Sequence, residues 1–378
     1  MNKILYTVIF CIFSLYTAYA QFVPITNCPQ IKINSGNPAF PFPQFLEYKA
    51  GKTLAKYNSE GVTHADMEKT MREAYEIMSH RCRLTGQTYC GVPYINFNNN
   101  TVPHNFNTFV SEGDGYMLMA AAIFADQPTF NGLWMWIHDN RMSKVIKYKD
   151  CQPLRPTQKT GPYIAGWNCT ETTPANDGST HSATDGDFDI AMGLLIAYRQ
   201  WGEFMYHNGT LVKDACGNPI SLKEAAEKAI KALVDTIPDY MDNGAFAGYM
   251  SGIIGIDGYI KSGNTWGELT MWRATQNTYP WAKALPTLGG NYGAHYFDYN
   301  APAYCREFAY FLETEGNGTP WQINQFKRAE ASSDWLMGQA YAQGYIPSIG
   351  KVYCTTDGTF TFGSFNSGED FRASWRTI

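Results

Sequence analysis

Apolar residues recur at helical spacing along most of this chain, and that repeat limits the folds open to it. From Ser221 to Ile237 the apolar positions lie three or four residues apart, and Pro238 follows. Ser221 and Glu224 form a capping-box pattern at the start. Long alternating patterns typical of strands are missing from the sequence. The same helical spacing predicts helices over residues 63–81, 115–125, 127–143, 190–202, 301–313 and 319–343.

Long loops separate these helices. Residues 84–107, 150–182 and 239–299 are rich in Gly, Asn, Thr and Pro. Loops of that length within a compact domain are usually functional. We therefore expect a helical toroid or bundle whose loops gather at one mouth.

The first 20 residues resemble a secretory signal peptide, with Lys3 before an apolar run and Ala18 and Ala20 at the cleavage position. We expect an exported chain with no membrane span after cleavage, in which residues 21–378 form a single monomeric domain. The net charge of −5 argues against nucleic-acid binding, which needs clustered Lys and Arg.

Eight cysteines remain after Cys11 leaves with the signal, an even number that favours disulfides in an exported protein. Sequence proximity suggests the pairs Cys82–Cys90 and Cys151–Cys169, although spacing does not determine connectivity and some thiols could stay free. No CxxC pair occurs, so we expect no zinc site. We also expect no metal and no cofactor elsewhere.

Three carboxylates at alternate positions, Asp185, Asp187 and Asp189, lead into an apolar helical run. One acid is enough to cap a helix, so three favour acid chemistry or ion binding at the lip of a buried helix. A calcium loop of the EF-hand type is excluded because Ile190 and Ile196 stand where that loop needs Gly and Glu.

A second acidic motif surrounds Glu112, which lies in Ser-Glu-Gly-Asp-Gly-Tyr ahead of an apolar helix. An acid at the edge of an apolar helix is partly desolvated, which favours the neutral form that a general acid needs. The alternative is that Glu112 is an exposed turn residue.

Together these motifs resemble glycoside hydrolase family 8, the bacterial endoglucanase, xylanase, chitosanase and lichenase family. The resemblance rests on Ala-Thr-Asp-Gly-Asp-Phe-Asp-Ile-Ala over residues 183–191 and on Glu-Gly-Asp-Gly-Tyr over residues 112–116. Residues 298–304, 344–347 and 369–376 resemble later family segments in the same order.

The resemblance implies an all-α (α/α)6 barrel with a substrate cleft across one end, and hydrolysis of β-1,4-linked polysaccharide with inversion. Glu112 would be the general acid, and Asp185 would position the sugar beside the scissile bond. The general base would be Glu369, which aligns without a gap, or Asp370, which keeps the residue type. Because family members continue beyond this motif, the barrel either lacks its C-terminal part or closes differently.

Aromatic residues make up 15% of the chain, and sugar rings pack on aromatic faces. Core packing is the alternative for each of them. The candidate substrate-binding residues are Tyr116, Trp167, Trp266, Trp272, Tyr299 and Arg372.

The signal peptide and the family resemblance together imply a secreted inverting hydrolase of cellulose or mixed-linkage β-glucan, with xylanase or chitosanase activity as the alternatives. Helical toroids also carry polysaccharide lyases, but the Tyr/His pair and basic cleft of those enzymes are not recognisable in the sequence. From another functional class, the chain could be a non-catalytic glycan-binding relic.

Overall fold

The computed structural model describes residues 59–63, 66, 69–75, 88–89, 92–93, 108–142, 145–153, 162–170, 182–235, 237–240, 246–250, 252–254, 260–261, 263, 294–296, 299–342, 349–354 and 360–363. The signal peptide predicted over residues 1–20 lies outside these ranges. The principal helices of the described part of the chain are α1 (Ser111–Ile123), α2 (Gln127–Arg141), α3 (Thr184–Trp201), α4 (Leu222–Ala232), α5 (Pro302–Thr314) and α6 (Pro320–Ala342).

The strands are short and form small antiparallel sheets. The pair most relevant to the site is β3 with β4, because β3 leads directly into α1. The strands are β1 (Thr88–Tyr89), β2 (Val92–Pro93), β3 (Thr108–Val110), β4 (Asn168–Thr170), β5 (Tyr206–His207), β6 (Thr210–Leu211), β7 (Ile237–Tyr240), β8 (Phe246–Met250), β9 (Ala294–Tyr296), β10 (Ile349–Cys354) and β11 (Phe360–Gly363).

Two helix boundaries differ from the prediction in an informative way. Helix α3 begins at Thr184, six residues before the predicted start, so the acidic motif lies within the helix. Helix α4 begins at the expected Ser221 cap but ends at Ala232, and Ile237 opens a strand. The carbonyl of Leu233 accepts a hydrogen bond from the backbone N–H of Ile254 at 2.8 Å, which takes it out of the helical ladder. Pro238 further disfavours the helical conformation at the residue before it.

Helices α1 and α3 run parallel in close contact, and three glycines make that contact feasible. A Cβ on Gly186 would lie 2.6 Å from the Ser111 Cβ, and one on Gly115 would lie 2.7 Å from the Asp189 Cβ. One on Gly193 would lie 3.1 Å from the Met119 backbone nitrogen. The contact therefore repeats along both helices, and their N-terminal ends meet.

A continuous apolar core surrounds this helix pair. Phe188 of α3 stacks on Phe308 of α5 with ring centroids 6.0 Å apart, and Phe326 of α6 meets Phe308 edge-on at 5.5 Å. The Tyr304 hydroxyl of α5 also donates to the Met119 sulfur of α1 at 3.3 Å. Within the described residues, no helix has both the length and the apolar character of a membrane span.

The predicted Cys151–Cys169 disulfide is wrong, because Cys151 pairs with Cys216, 65 residues further along the chain. The Ala215 N–H donates to the Tyr148 carbonyl at 2.8 Å and holds these two segments side by side, whereas Cys169 lies in β4 opposite Phe109. Cys305 is a buried free thiol, and burial raises its pKa above the ordinary value. The predicted Cys82–Cys90 pair lies outside the described residues.

We predict that Gly186→Ala destabilises the protein by about 1–3 kcal/mol, the usual cost of overpacking. The added methyl would lie 2.7 Å from the Ser111 backbone carbonyl carbon, so relief requires backbone movement. Urea unfolding measures the change in the free energy of unfolding.

Gly338→Ala is the matched control, because Gly338 also lies inside a helix but has no atom within 4 Å of the added methyl. Alanine has less backbone freedom to lose on folding than glycine, so this substitution should stabilise the protein by about 0.5–1 kcal/mol. Equal effects of the two substitutions would contradict the proposed role of Gly186.

Candidate active site

Glu112 lies in the first turn of α1, half-buried, where the positive end of the helix dipole favours negative charge. The hydroxyl of Tyr116, one turn later, donates a hydrogen bond to the Glu112 Oε1 at 2.5 Å. This contact fixes the orientation of the carboxyl group. Glu112 is therefore part of a helix and not the exposed turn residue that we considered as the alternative.

The three aspartates Asp185, Asp187 and Asp189 are all buried at the start of α3. Asp185 is 3% exposed, Asp187 is 4% exposed and Asp189 is 0% exposed. The residue before the helix, Ala183, makes no side-chain cap. The Asp185 Oδ1 accepts the backbone N–H of Gly186 at 2.8 Å. Because burying carboxylates costs free energy, their presence here points to function.

The glycine contacts bring the two acidic motifs together. Gly186 follows Asp185 and packs directly on Ser111, which precedes Glu112. The two candidate catalytic side chains therefore extend from adjoining first turns of parallel helices. The first turns of α1 and α3 therefore bring Glu112 and Asp185 to the same end of the helix pair.

Asp187 reaches a neighbouring chain segment. Its Oδ1 accepts the backbone N–H of Ala165 at 2.7 Å. Burial raises the pKa of Asp187 to about 8, although hydrogen bonds from Ala165 and Ser182 oppose that rise. The sequence marked this residue as one of three acids but did not indicate which segment it would hold.

A buried ion pair between Asp114 of α1 and Arg141 of α2 lies beneath the same end of α1, and both side chains are 0% exposed. The Arg141 Nη1 also donates to the Gly166 carbonyl at 2.9 Å. Burial raises the pKa of Asp114, and the neighbouring guanidinium opposes that rise. Sequence reasoning missed Arg141, because a basic residue in the last turn of a helix is ordinarily explained by the helix dipole.

Of the predicted substrate-binding residues, Tyr116 and Trp167 lie at this site. Trp167 is half-buried, and its carbonyl accepts the backbone N–H of Ser111 at 2.8 Å. Tyr299 is 7% exposed just before α5. The remaining predicted site residues lie outside the described part of the chain: Trp266, Trp272, Glu369, Asp370 and Arg372.

A separate cavity of about 480 Å³ is lined by His138, Tyr163, Glu224 and Lys228, among others. Two of its charged groups pair with each other: the Lys228 ammonium lies 2.5 Å from the Glu224 Oε1, and it also lies 5.4 Å from the centre of the Tyr163 ring. Burial lowers the pKa of His138 despite the neighbouring Asp139 carboxylate. The residues that line this cavity include Asp214 and Glu224 but neither Glu112 nor Asp185, so it is separate from the ends of α1 and α3.

We predict that Asp187 makes the protein less stable as pH rises from 3.8 to about 8. Over that interval the folded protein keeps a proton that the unfolded chain has released, so rising pH favours unfolding. Asp187→Asn does not titrate, and its free energy of unfolding relative to the wild type should increase with pH. Urea unfolding across the interval measures this difference, and a constant difference would contradict the prediction.

Residues 100–224, which include both acidic motifs, match the family model Glycosyl hydrolases family 8. A beta-glucanase from Niallia circulans is 28% identical over 170 residues, which cover 44% of this chain and 34% of that protein. An endoglucanase from Bacillus sp. (strain KSM-330) is 31% identical over 94 residues, covering 24% of this chain and 17% of that protein. The chain thus spans about a third or less of these relatives' length.

Two solved structures share the fold at 16% sequence identity. The apo β-1,3-1,4-glucanase from Paenibacillus sp. X4 has a TM-score of 0.50, with 83% of this chain and 66% of that chain covered. A variant of a reducing-end-xylose releasing exo-oligoxylanase has a TM-score of 0.53, with 85% and 67% covered. These likenesses confirm the predicted all-α (α/α)6-barrel fold. Residues 100–224 of this chain are thus similar to glycosyl hydrolases family 8, and the chain shares the fold of the two solved structures.

Proposed function

We propose that this chain is an exported, inverting glycoside hydrolase that cleaves β-1,4-linked polysaccharide, with cellulose or mixed-linkage β-glucan as its substrate. The observation that carries the proposal is the meeting of the Glu112 and Asp185 motifs at the adjoining ends of α1 and α3. The two curated relatives are named as a beta-glucanase and an endoglucanase, which favours a glucan.

Glu112 is the proposed general acid. The hydrogen bond from Tyr116 holds one carboxyl oxygen, so the group presents a fixed face to the substrate. A proton from Glu112 to the glycosidic oxygen lets the C–O bond break without releasing an alkoxide, a contribution worth about 10²–10⁴-fold in rate.

Asp185 is the proposed sugar-positioning residue beside the scissile bond. Its Oδ1 is held by the Gly186 N–H, and its location beside the Glu112 turn lets it contact the sugar whose bond is broken. Hydrogen bonds that strengthen as the ring flattens would stabilise the transition state. Inversion also requires a base on the opposite face of the sugar, and Glu369 and Asp370 remain the alternatives for it.

Trp167 is the proposed platform for a sugar ring, because its carbonyl is bonded to the residue next to Glu112 and its side chain is half-buried. Xylan and chitosan remain alternative substrates, since subsite contacts decide between these polymers. A non-catalytic glycan-binding protein is the alternative from another class, and it differs by binding without turnover.

The test measures reducing ends released by the full chain from carboxymethylcellulose, mixed-linkage β-glucan, xylan and chitosan. We predict activity on a β-glucan and a loss of about 10²–10⁴-fold in Glu112→Gln, which keeps the shape of the side chain but cannot supply the proton. In proton NMR of the β-glucan reaction, the first product should carry the α-anomer, as inversion requires.

Glu313→Gln is the matched control, because Glu313 is an exposed residue of α5 paired only loosely with Lys327 at 3.4 Å. It should leave activity unchanged. Binding of a polymer without release of reducing ends would contradict the proposal and favour the glycan-binding alternative.

A further inference from the structure

We propose that residues 165–167 form a positioning segment that sets the spacing between Glu112 and Asp185, and that Asp187 and Arg141 are the positioning residues that hold it. This proposal rests on the hydrolase function proposed above. To the candidate catalytic residues it adds Asp187 and Arg141, which make no contact with substrate and act by holding the backbone of residues 165–167.

Each residue of the segment is held by a different helix. The Ala165 N–H donates to the Asp187 carboxyl of α3 at 2.7 Å. Gly166 donates its N–H to the Arg141 carbonyl of α2 and accepts from the Arg141 side chain, both at 2.9 Å. The Trp167 carbonyl accepts the Ser111 N–H of α1 at 2.8 Å. Three consecutive residues thus connect α1, α2 and α3.

The attachment points lie directly beside the candidate catalytic residues. Ser111 precedes Glu112, and Asp187 follows Asp185 by two positions on the same helix. A shift of residues 165–167 would therefore move the start of α1 relative to the start of α3. It would also move Trp167, the proposed sugar platform.

The glycine contact alone does not fix this geometry, because apolar packing is non-directional. Hydrogen bonds are directional, and these are shielded from water, since Asp187 is 4% exposed and Arg141 is 0% exposed. Reaction geometry is sensitive to such shifts: a displacement of ~1 Å can lower the rate by about 10²-fold.

The test compares Asp187→Ala with Asp187→Asn on the polymer that the wild type hydrolyses best. Alanine removes the acceptor for the Ala165 N–H, whereas asparagine keeps an oxygen there. We expect kcat to fall by about 10²-fold in the alanine variant with KM nearly unchanged, because ground-state binding persists while alignment is lost. The asparagine variant should keep nearly all of the wild-type kcat.

Phe326→Leu controls for a general loss of stability, since Phe326 is fully buried in α6 and packs edge-on against Phe308 of α5. It should retain kcat when assayed well below its melting temperature. A kcat loss in Asp187→Ala no larger than that of the control would overturn the proposal. Equal losses in the alanine and asparagine variants would also overturn it, because the carboxyl group itself would then be required.

Arg141→Lys provides a second test if the alanine variant does not fold. Lysine keeps a positive charge beside Asp114 but lacks the planar fork that reaches both Asp114 and the Gly166 carbonyl. We expect a fall in kcat with little change in KM. Wild-type kcat in Arg141→Lys would show that the Gly166 contact does not position the site.

Amide hydrogen exchange separates this proposal from the hydrolase proposal, because it needs no turnover. Asp187→Ala should speed exchange in peptides covering residues 162–167 and 108–113, and Asp187→Asn should not. An inactive wild type with this exchange pattern would refute the function but keep the positioning role. Unchanged exchange near Ser111 in Asp187→Ala would refute the positioning role even in an active enzyme.

Discussion

The close approach of α1 and α3 is the constraint on which the rest of the site depends. Gly115, Gly186 and Gly193 add no side chain of their own where the helices touch, so α1 and α3 approach closely with their first turns in contact. Such packing brings two positive helix ends together, where carboxyl groups are favoured. Glu112 and Asp185 are each next to a residue of this contact. The glycines therefore explain both how the helices pack and why the acids meet.

A buried ion pair lies beneath the contact between α1 and α3. Asp114 and Arg141 are fully buried, and removing either partner would leave an uncompensated charge, which costs about 3–5 kcal/mol. An apolar pair of similar volume could serve stability equally well. What it could not supply is the directional bond from Arg141 to the Gly166 carbonyl. The charged pair is thus best explained by its role in positioning Gly166, and not by its contribution to stability.

The spacing of apolar residues predicted the helices. Local residue patterns marked the two acidic motifs as candidate parts of the site. The sequence did not predict that α3 begins at Thr184, since three acids and a glycine are poor helix formers and tertiary packing overrides that preference. The Cys151–Cys216 disulfide and the Arg141 contact to Gly166 join segments distant along the chain. Such pairings depend on the folded chain, and no local pattern encodes them.

The central claim is that substrate lies across the adjoining N-terminal ends of α1 and α3. A crystal structure of Glu112→Gln with a bound β-1,4-linked gluco-oligosaccharide tests it most directly. The account predicts a glycosidic oxygen within hydrogen-bonding distance of the side chain at position 112, with Asp185 contacting the adjacent sugar. An oligosaccharide bound instead in the cavity beside His138 and Tyr163, with the helix ends empty, would contradict the account.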